Sequence, residues 1–115
     1  MDCLFCKIVN KQIDANIIYE DDYVLAFHDI HPVAPVHVLV IPKVHISNIN
    51  EISSNNSGNI EKVFLAMPKI AKICGVDGSG YRVICNTGED GGQEVFHIHF
   101  HLLGGKKLGT KLVKD

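Results

Sequence analysis

The chain has 115 residues, of which 11 are Lys or Arg and 13 are Asp or Glu, so its formal net charge is −2. This length predicts a single domain over residues 1–115, in which residues 106–115 form a tail. The near-neutral charge argues against a nucleic acid partner, which needs a basic surface, and against a membrane partner held by a polybasic segment. Composition does not explain the seven histidines, three of which fall within five residues.

The first seven residues indicate the cellular compartment expected for the chain. They include Asp2 and Lys7, whereas a signal peptide needs an uninterrupted apolar core at this point. The sequence also has no stretch that approaches the ~20 apolar residues of a membrane span. We therefore expect a cytoplasmic location and four cysteines that stay reduced.

The N-terminal half predicts one short helix and three strands. Apolar residues at near-helical spacing within residues 1–13 indicate a short helix that must dock on another element. Apolar runs at 17–19 and 23–27 flank the acidic tripeptide Glu20–Asp22, which predicts a β-hairpin. The β-branched run Val36–Ile41 is bounded by prolines and predicts the third strand.

The C-terminal half predicts one long helix and two strands. Asn59 is the expected N-cap of the helix and Gly75 its C′ residue. Its expected buried stripe consists of Ile60, Val63, Phe64, Met67, Ile70, Ala71 and Cys74. Strands are predicted at 81–85 and 95–103. This order predicts an α+β fold in which an antiparallel sheet of about five strands carries one long and one short helix on one face.

Histidine alternates with apolar residues in the last predicted strand. The alternation places His97, His99 and His101 on one face and the apolar residues between them on the other, which faces the core. The Cα atoms of the outer two histidines would lie about 13 Å apart, too far for all three side chains to hold one tetrahedral ion. A metal site formed by an adjacent pair, a catalytic site and an exposed polar row all remain open.

A glycine-rich loop, Thr87–Gly92, lies shortly before these histidines. Glycine permits positive φ and close approach of the backbone, so Gly91–Gln93 can present successive N–H groups to an anion. An imidazole nitrogen is a competent nucleophile toward phosphorus when nearby donors offset the charge of the phosphate. The combination favours a site that handles phosphate.

The run His97–Leu103 resembles the signature of the histidine triad (HIT) superfamily. The resemblance extends over nearly the whole chain, up to about Lys107, and is strongest to the Hint branch, the histidine triad nucleotide-binding proteins. Leu102–Gly105 distinguishes this branch from the Fhit-like hydrolases, which usually carry a Pro-Arg-Lys type continuation. The other matching segments are 2–13, 26–30, 34–37, 40–43, 45–46, 80–82, Asn86 and 91–105. The resemblance implies a HIT-like fold, a homodimer and cleavage of the P–N bond of purine nucleoside 5′-phosphoramidates.

The same resemblance implies a role for each matching position. His99 would attack the α-phosphorus and become transiently nucleotidylated, while His37 and His101 would stand near the phosphate and help to move a proton to the leaving amine. Asp29 would hold the ribose hydroxyls of a bound AMP or GMP. The purine slot would consist of Leu4, Phe5, Ile8, Phe27 and Ile30. The phosphate side would consist of Asn86, Gly92, Gln93 and Glu94.

Cys3 and Cys6 form a C-x-x-C motif with three possible meanings. A thioredoxin-like redox pair normally stands in a βαβ pattern, which this chain lacks. Two interpretations of the motif remain: half of a zinc site, or a pair of small buried hydrophobic residues. The resemblance implies structural zinc with His45 and His97 as the other two ligands, and no cofactor for catalysis itself. Cys74 and Cys85 are expected in the core.

Two departures from the animal Hint pattern bear on substrate preference. Glu94 stands where a serine often contacts the phosphate or leaving group, and the tail lacks an aromatic residue that shapes the leaving-group side. Two other functions therefore stay open, dinucleoside polyphosphate hydrolysis and a non-catalytic nucleotide-binding or scaffold dimer. His28 and His31 are expected at the surface or at the mouth of the pocket.

Overall fold

Five strands form one sheet on which two helices pack. The computed structural model describes residues 3–113. Its helices are α1 (Leu4–Val9), a short 3₁₀ helix (Ile49–Glu51) and α2 (Ser57–Ile73). Its strands are β1 (Ile17–Glu20), β2 (Val24–His28), β3 (Val36–Pro42), β4 (Tyr81–Ile84) and β5 (Phe100–Gly104). Neighbouring strands are antiparallel in the order β1-β2-β3-β5-β4, which confirms the predicted α+β fold.

The two faces of the sheet bury two separate apolar clusters. Val38 and Val40 of β3 pack in the cluster that includes the buried face of α2. Leu39 and Ile41, which alternate with them, pack in the cluster that includes Phe5 of α1. The helices therefore lie on opposite faces, and the prediction that they share one face is wrong. Strands β2 and β3 are apolar at almost every position, as expected of strands that are covered on both sides.

Helix α2 begins three residues before the predicted start. Its N-cap is Asn56, and Asn59 lies in the first turn, where its side-chain amide donates to the Asn56 carbonyl at 3.3 Å. The C-terminus follows the prediction, since Gly75 has φ +73°. The Gly75 N–H donates to the Lys72 carbonyl and the Val76 N–H to the Ala71 carbonyl, which is a Schellman motif. No helix in residues 3–113 is both long and apolar enough to cross a membrane.

One member of the predicted buried stripe of α2 is exposed. Val63, Met67, Ile70 and Ala71 are buried, and Ile60 and Cys74 pack partly buried against them. Phe64 instead is 51% exposed, and its ring meets Phe100 of β5 edge-on with centroids 5.2 Å apart. It lies at the flank of the stripe, where one side of the ring covers the sheet and the other faces outward.

The last strand is shorter than predicted. Residues 95–99 are irregular, and β5 begins only at Phe100. The Ile98 N–H donates to the Ile46 carbonyl at 2.6 Å, so this segment is held by the loop that follows β3. The alternation of faces nevertheless continues, since Ile98 joins the α2 cluster while His97 and His99 lie against Phe5.

Candidate active site and metal-binding group

The predicted nucleophile is buried and held in one orientation. His99 is 7% exposed, and its ring stands edge-on to Phe5 at 5.2 Å and to His101 at 5.1 Å. Its Nδ1 lies 2.8 Å from the main-chain carbonyl of His97. Because a carbonyl oxygen only accepts, we assign the proton to Nδ1. With the proton on Nδ1, the other ring nitrogen, Nε2, keeps an unshared electron pair.

His37 and His101 lie side by side on β3 and β5 and form a hydrogen-bonded pair. The Val33 main-chain N–H donates to His37 Nδ1 at 3.1 Å, so this nitrogen must be unprotonated. The proton of His37 is then on Nε2, which donates to His101 Nδ1 at 2.9 Å. His101 in turn carries its proton on Nε2. The Val33 N–H thus fixes the direction of both hydrogen bonds, and it makes His101 a donor at Nε2.

Burial keeps the imidazole of His101 neutral. Burial, together with the neighbouring His99 and His37, lowers the pKa of His101 to about 4 against the opposing effect of the Asp29 carboxylate. The Asp29 Oδ2 atom lies 3.4 Å from His37 Nε2, and its Oδ1 accepts the His31 N–H at 2.7 Å. A neutral His101 can donate one proton at ordinary pH without adding a positive charge to the site.

A cavity of about 490 Å³ is lined by Phe5, which packs on His99, and by Asp29, which faces His37. His37, His99 and His101 themselves are not part of its lining. Every residue predicted to form the purine slot lines it: Leu4, Phe5, Ile8, Phe27 and Ile30. Asp29 and Glu94 line it too, and so do His28 and His31, as expected of residues at a pocket mouth. The volume lies within the usual range for small-molecule sites, roughly 300–1,000 Å³.

Sequence reasoning missed some of the lining. The segment Ile13–Asn16, Leu39 and Val95 also border the cavity. Leu39 could have been found, because it lies two residues after His37 on β3 and therefore points to the same face. The segment after α1 carries no such periodic signal.

The glycine-rich loop is held by its own hydrogen bonds. The N–H groups of Gly92 and Gln93 donate to the carbonyls of Glu89 and Gly88. The prediction that Gly91–Gln93 presents successive N–H groups to an anion is therefore wrong for Gly92 and Gln93, whose N–H groups are already bonded. Gly91 is required for another reason, since a Cβ there would lie 2.4 Å from the Thr87 carbonyl oxygen.

Gln93 is buried and ties this loop to two other segments. Its Oε1 accepts the Gly88 N–H at 2.9 Å, and its Nε2 donates to the carbonyls of Ser47 and Val95 at 2.7 and 3.1 Å. With these contacts the side chain positions the loop. Asn86 is half-buried, and Gly92 and Glu94 are exposed.

The C-x-x-C motif meets two histidines that are distant in sequence. Cys3 is the N-cap of α1, and its sulfur accepts the Cys6 N–H at 3.3 Å. His97 Nδ1 lies 3.4 Å from Cys3 Sγ and 3.6 Å from Cys6 Sγ, and His45 Nδ1 lies 3.5 Å from Cys6 Sγ. One ligand atom from each of the four residues lies within 4.8 Å of the others. This group could hold a metal ion.

A second group also brings possible ligand atoms together: Asp29, His37 and His101. The hydrogen bonds distinguish the two groups. His97 Nε2 donates to the Pro42 carbonyl at 2.8 Å, which leaves Nδ1 unprotonated toward the sulfur atoms. In His37 the Val33 N–H already occupies Nδ1, so the proton must stay on Nε2, the nitrogen that faces Asp29 and His101. Of the two groups, the cysteine-containing one therefore presents an unprotonated ring nitrogen, His97 Nδ1, toward its other possible ligand atoms.

Comparison with known proteins agrees with this geometry. The family model described as HIT domain matches residues 10–108. A purine nucleoside phosphoramidase of Escherichia coli (strain K12) is 45% identical over 109 residues, which cover 95% of this chain and 92% of that protein.

Two solved structures are similar over almost their whole length. A histidine triad protein from Clostridium difficile has a TM-score of 0.93 and 49% identity, covering 97% of each chain. A HIT family hydrolase from Legionella pneumophila Philadelphia 1 has a TM-score of 0.90 and 44% identity, covering 94% of this chain and 96% of that one. The fold, the histidine arrangement and these matches together establish that the chain belongs to the HIT domain family.

Proposed function

We propose that this chain is a nucleotide hydrolase that cleaves the P–N bond of purine nucleoside 5′-phosphoramidates through a nucleotidyl-histidine intermediate. The observation that carries the proposal is the hydrogen bond from His99 Nδ1 to the His97 carbonyl, which leaves Nε2 as a buried nucleophile. The substrate class is supported by the similarity to a purine nucleoside phosphoramidase.

In the first step, His99 Nε2 attacks the α-phosphorus and the P–N bond breaks. The ring then bears a positive charge, which strengthens the hydrogen bond from its Nδ1–H to the His97 carbonyl. His101 donates the proton on its Nε2 to the departing nitrogen while the His37–His101 pair takes up a proton from the solvent in its place, so that a neutral amine leaves and no imidazolate remains. In the second step, water attacks phosphorus and the P–Nε2 bond breaks. One proton of the water passes through His101 to the solvent, and the nucleoside monophosphate and free His99 are restored.

The cavity beside α1 is the proposed nucleotide site. Its apolar side chains would hold the purine, and the carboxylate of Asp29 would accept hydrogen bonds from the ribose hydroxyls. On the phosphate side we keep Asn86, Gly92 and Glu94, with Gln93 positioning the loop that carries them. Glu94 would have to direct its carboxylate away from the phosphate or pair with a donor on the substrate.

Replacing the nucleophile provides the central test. Mixing the protein briefly with adenosine 5′-phosphoramidate should produce a covalent adenylyl adduct that is visible by intact-protein mass spectrometry. His99→Ala should form no adduct and lose turnover by on the order of a thousand-fold or more, because the variant lacks the Nε2 electron pair that attacks phosphorus.

Binding is the control for this variant. AMP should still raise the melting temperature of His99→Ala, which shows that the site remains folded. An adduct in His99→Ala, or a parent protein that turns over no purine phosphoramidate, would contradict the proposal. Faster turnover of dinucleoside polyphosphates than of phosphoramidates would favour that alternative hydrolase. AMP binding with negligible turnover of either substrate would favour the non-catalytic nucleotide-binding or scaffold dimer.

The low pKa of His101 has a consequence for stability. In the unfolded chain this histidine titrates near 6.5, whereas in the folded chain its pKa is about 4. As the pH falls through this interval the unfolded state takes up the proton first, so the free energy of unfolding should decrease. Urea denaturation between pH 7 and pH 4 should show this decrease, and His101→Gln should make it shallower. An equal slope in both proteins would contradict the assignment of a neutral, buried His101.

We further propose that Cys3, Cys6, His45 and His97 hold a structural zinc ion. Zinc–ligand bonds of roughly 2.0–2.3 Å in a tetrahedron place the ligand atoms about 3.3–3.8 Å apart. The sulfur–nitrogen distances of 3.4, 3.5 and 3.6 Å are of this size. Burial, with the neighbouring Cys3, raises the pKa of Cys6 to about 11, so the Cys6 thiol needs a bound cation to become a thiolate. Such a group also needs reduced cysteines, which fits the proposed cytoplasmic location.

Zinc would fasten α1, and with it Phe5, onto the sheet. Elemental analysis of the purified protein should find about one zinc per chain. Cys3→Ser with Cys6→Ser should lose the metal, whereas Cys74→Ser with Cys85→Ser, which removes two other partly buried cysteines, should retain it. A metal-free parent protein of undiminished stability would contradict the proposal.

We also propose that two copies associate along β4. This strand forms an edge of the sheet, and the exposed Phe64 lies beside it on Phe100 of the adjacent strand β5. An open strand edge next to an exposed aromatic ring is a surface that a second copy would cover.

Two substitutions of neighbouring α2 residues test this interface. Sedimentation equilibrium should find a dimer for the parent protein and a monomer for Phe64→Glu, because a buried carboxylate opposes association. Leu65→Glu is the matched control, since Leu65 is similarly exposed but borders a hollow next to Tyr19 and Tyr23 on the β1 side. A monomeric parent, or equal weakening by both substitutions, would exclude this interface.

A further inference from the structure

A cavity of about 440 Å³ opens beside the cysteine-containing metal group. We call it the metal-side cavity, and its lining consists of Cys3, Leu4, His45, Ser47, Glu94, Val95 and Phe96. Two of the four possible metal ligands, Cys3 and His45, therefore border this space. Leu4, Glu94 and Val95 also line the proposed nucleotide cavity, so the two cavities are neighbours.

Three of the four possible ligands are tied to the fold by contacts that need no metal. His97 is fully buried, and its Nε2–H is bound to the Pro42 carbonyl. Cys3 is buried at the N-cap of α1, where its sulfur accepts the Cys6 N–H. Cys6 belongs to the same helix, and its sulfur faces a ring nitrogen of each histidine.

The fourth possible ligand, His45, is held less firmly. It is half-buried in the irregular segment after β3. Its Nδ1 faces Cys6 Sγ at 3.5 Å, and its ring stands edge-on to that of His97 at 5.1 Å. A metal-ligating histidine normally donates its other N–H to an acceptor that fixes the ring. His45 Nε2 has no hydrogen-bond partner among residues 3–113, so a bound metal would be the main contact that orients this ring.

The main chain next to His45 is anchored, so the side chain can turn without it. The Ile46 carbonyl accepts the Ile98 N–H at 2.6 Å, and the Ser47 carbonyl accepts an N–H of the Gln93 side chain at 2.7 Å. Rotation about the side-chain bonds of His45 would move its ring within the space that the ring already lines. This lining includes an acidic residue and neither Lys nor Arg, which favours a cation or a neutral ligand over an anion.

We infer that His45 is the displaceable ligand of the metal group, and that the metal-side cavity admits a small neutral nitrogen donor, such as imidazole, to the place that His45 leaves. In this exchange the bond between the metal and His45 Nδ1 breaks and a bond to the incoming nitrogen forms, without a change of oxidation state. His97 offers no such route, because it is fully buried and lines neither cavity. The inference rests on the proposed zinc site and is independent of the proposed phosphoramidase activity.

Cobalt substitution tests the inference, since tetrahedral Co²⁺ with thiolate ligands absorbs visible light. His45→Ala should keep the ion with an altered spectrum, because one nitrogen ligand is lost, and added imidazole should restore the spectrum of the parent protein. His97→Ala is the matched control, and imidazole should not restore its spectrum, because no cavity described above reaches that position. Transfer of zinc to EDTA should be roughly tenfold or more faster from His45→Ala than from the parent.

A measurement on the parent protein covers the case in which His45→Ala does not fold. Added imidazole should speed the transfer of zinc from the parent to EDTA and leave its melting temperature unchanged, and a rate that is independent of imidazole would contradict the inference. A folded His45→Ala that binds no cobalt with or without imidazole, or equal restoration in the two variants, would also overturn it. These outcomes would leave the zinc content of the parent intact, whereas a metal-free parent would overturn the zinc site and this inference together.

Discussion

The hydrogen bonds of His97 hold the two halves of the site together. This side chain is fully buried, its Nε2–H is bound to the Pro42 carbonyl, and its Nδ1 faces both sulfur atoms of the C-x-x-C motif. Its main-chain carbonyl receives the Nδ1–H of His99. One residue therefore connects the end of β3, the start of α1 and the proposed nucleophile. A shift of His97 would alter the metal group and the orientation of His99 together.

Helix α1 illustrates why this connection matters. With six residues it is too short to be stable by itself, and its apolar contacts are limited to a small cluster. The Cys3 and Cys6 side chains at its start face His97 and His45, while Phe5 reaches over His99 and lines the proposed nucleotide cavity. A metal ion in this group would thus act on substrate binding through the position of the helix and take no part in the reaction.

Hydrogen-bond direction, more than residue type, separates the two histidine groups. Both groups combine two imidazoles with acidic or thiol side chains at short distances. In one, a carbonyl acceptor frees the ring nitrogen that faces the thiols. In the other, an N–H donor fixes the proton on the nitrogen that faces the neighbouring ring. The first arrangement suits a metal and the second suits proton transfer, although the side chains are of similar kinds.

The sequence by itself determined the features that depend on local pattern. Alternation in Phe96–Leu103 indicated which residues share a face, the apolar runs indicated the strands, and the spacing of Cys3 and Cys6 indicated a paired site. Tertiary structure decided what depends on distant main-chain atoms. The irregular backbone at 95–99 is held by the Ile46 carbonyl. The protons of His37, His97 and His99 are placed by the Val33 N–H, the Pro42 carbonyl and the His97 carbonyl, in that order. Such groups occur in nearly every residue and leave no mark on residue type, so no sequence pattern could reveal them.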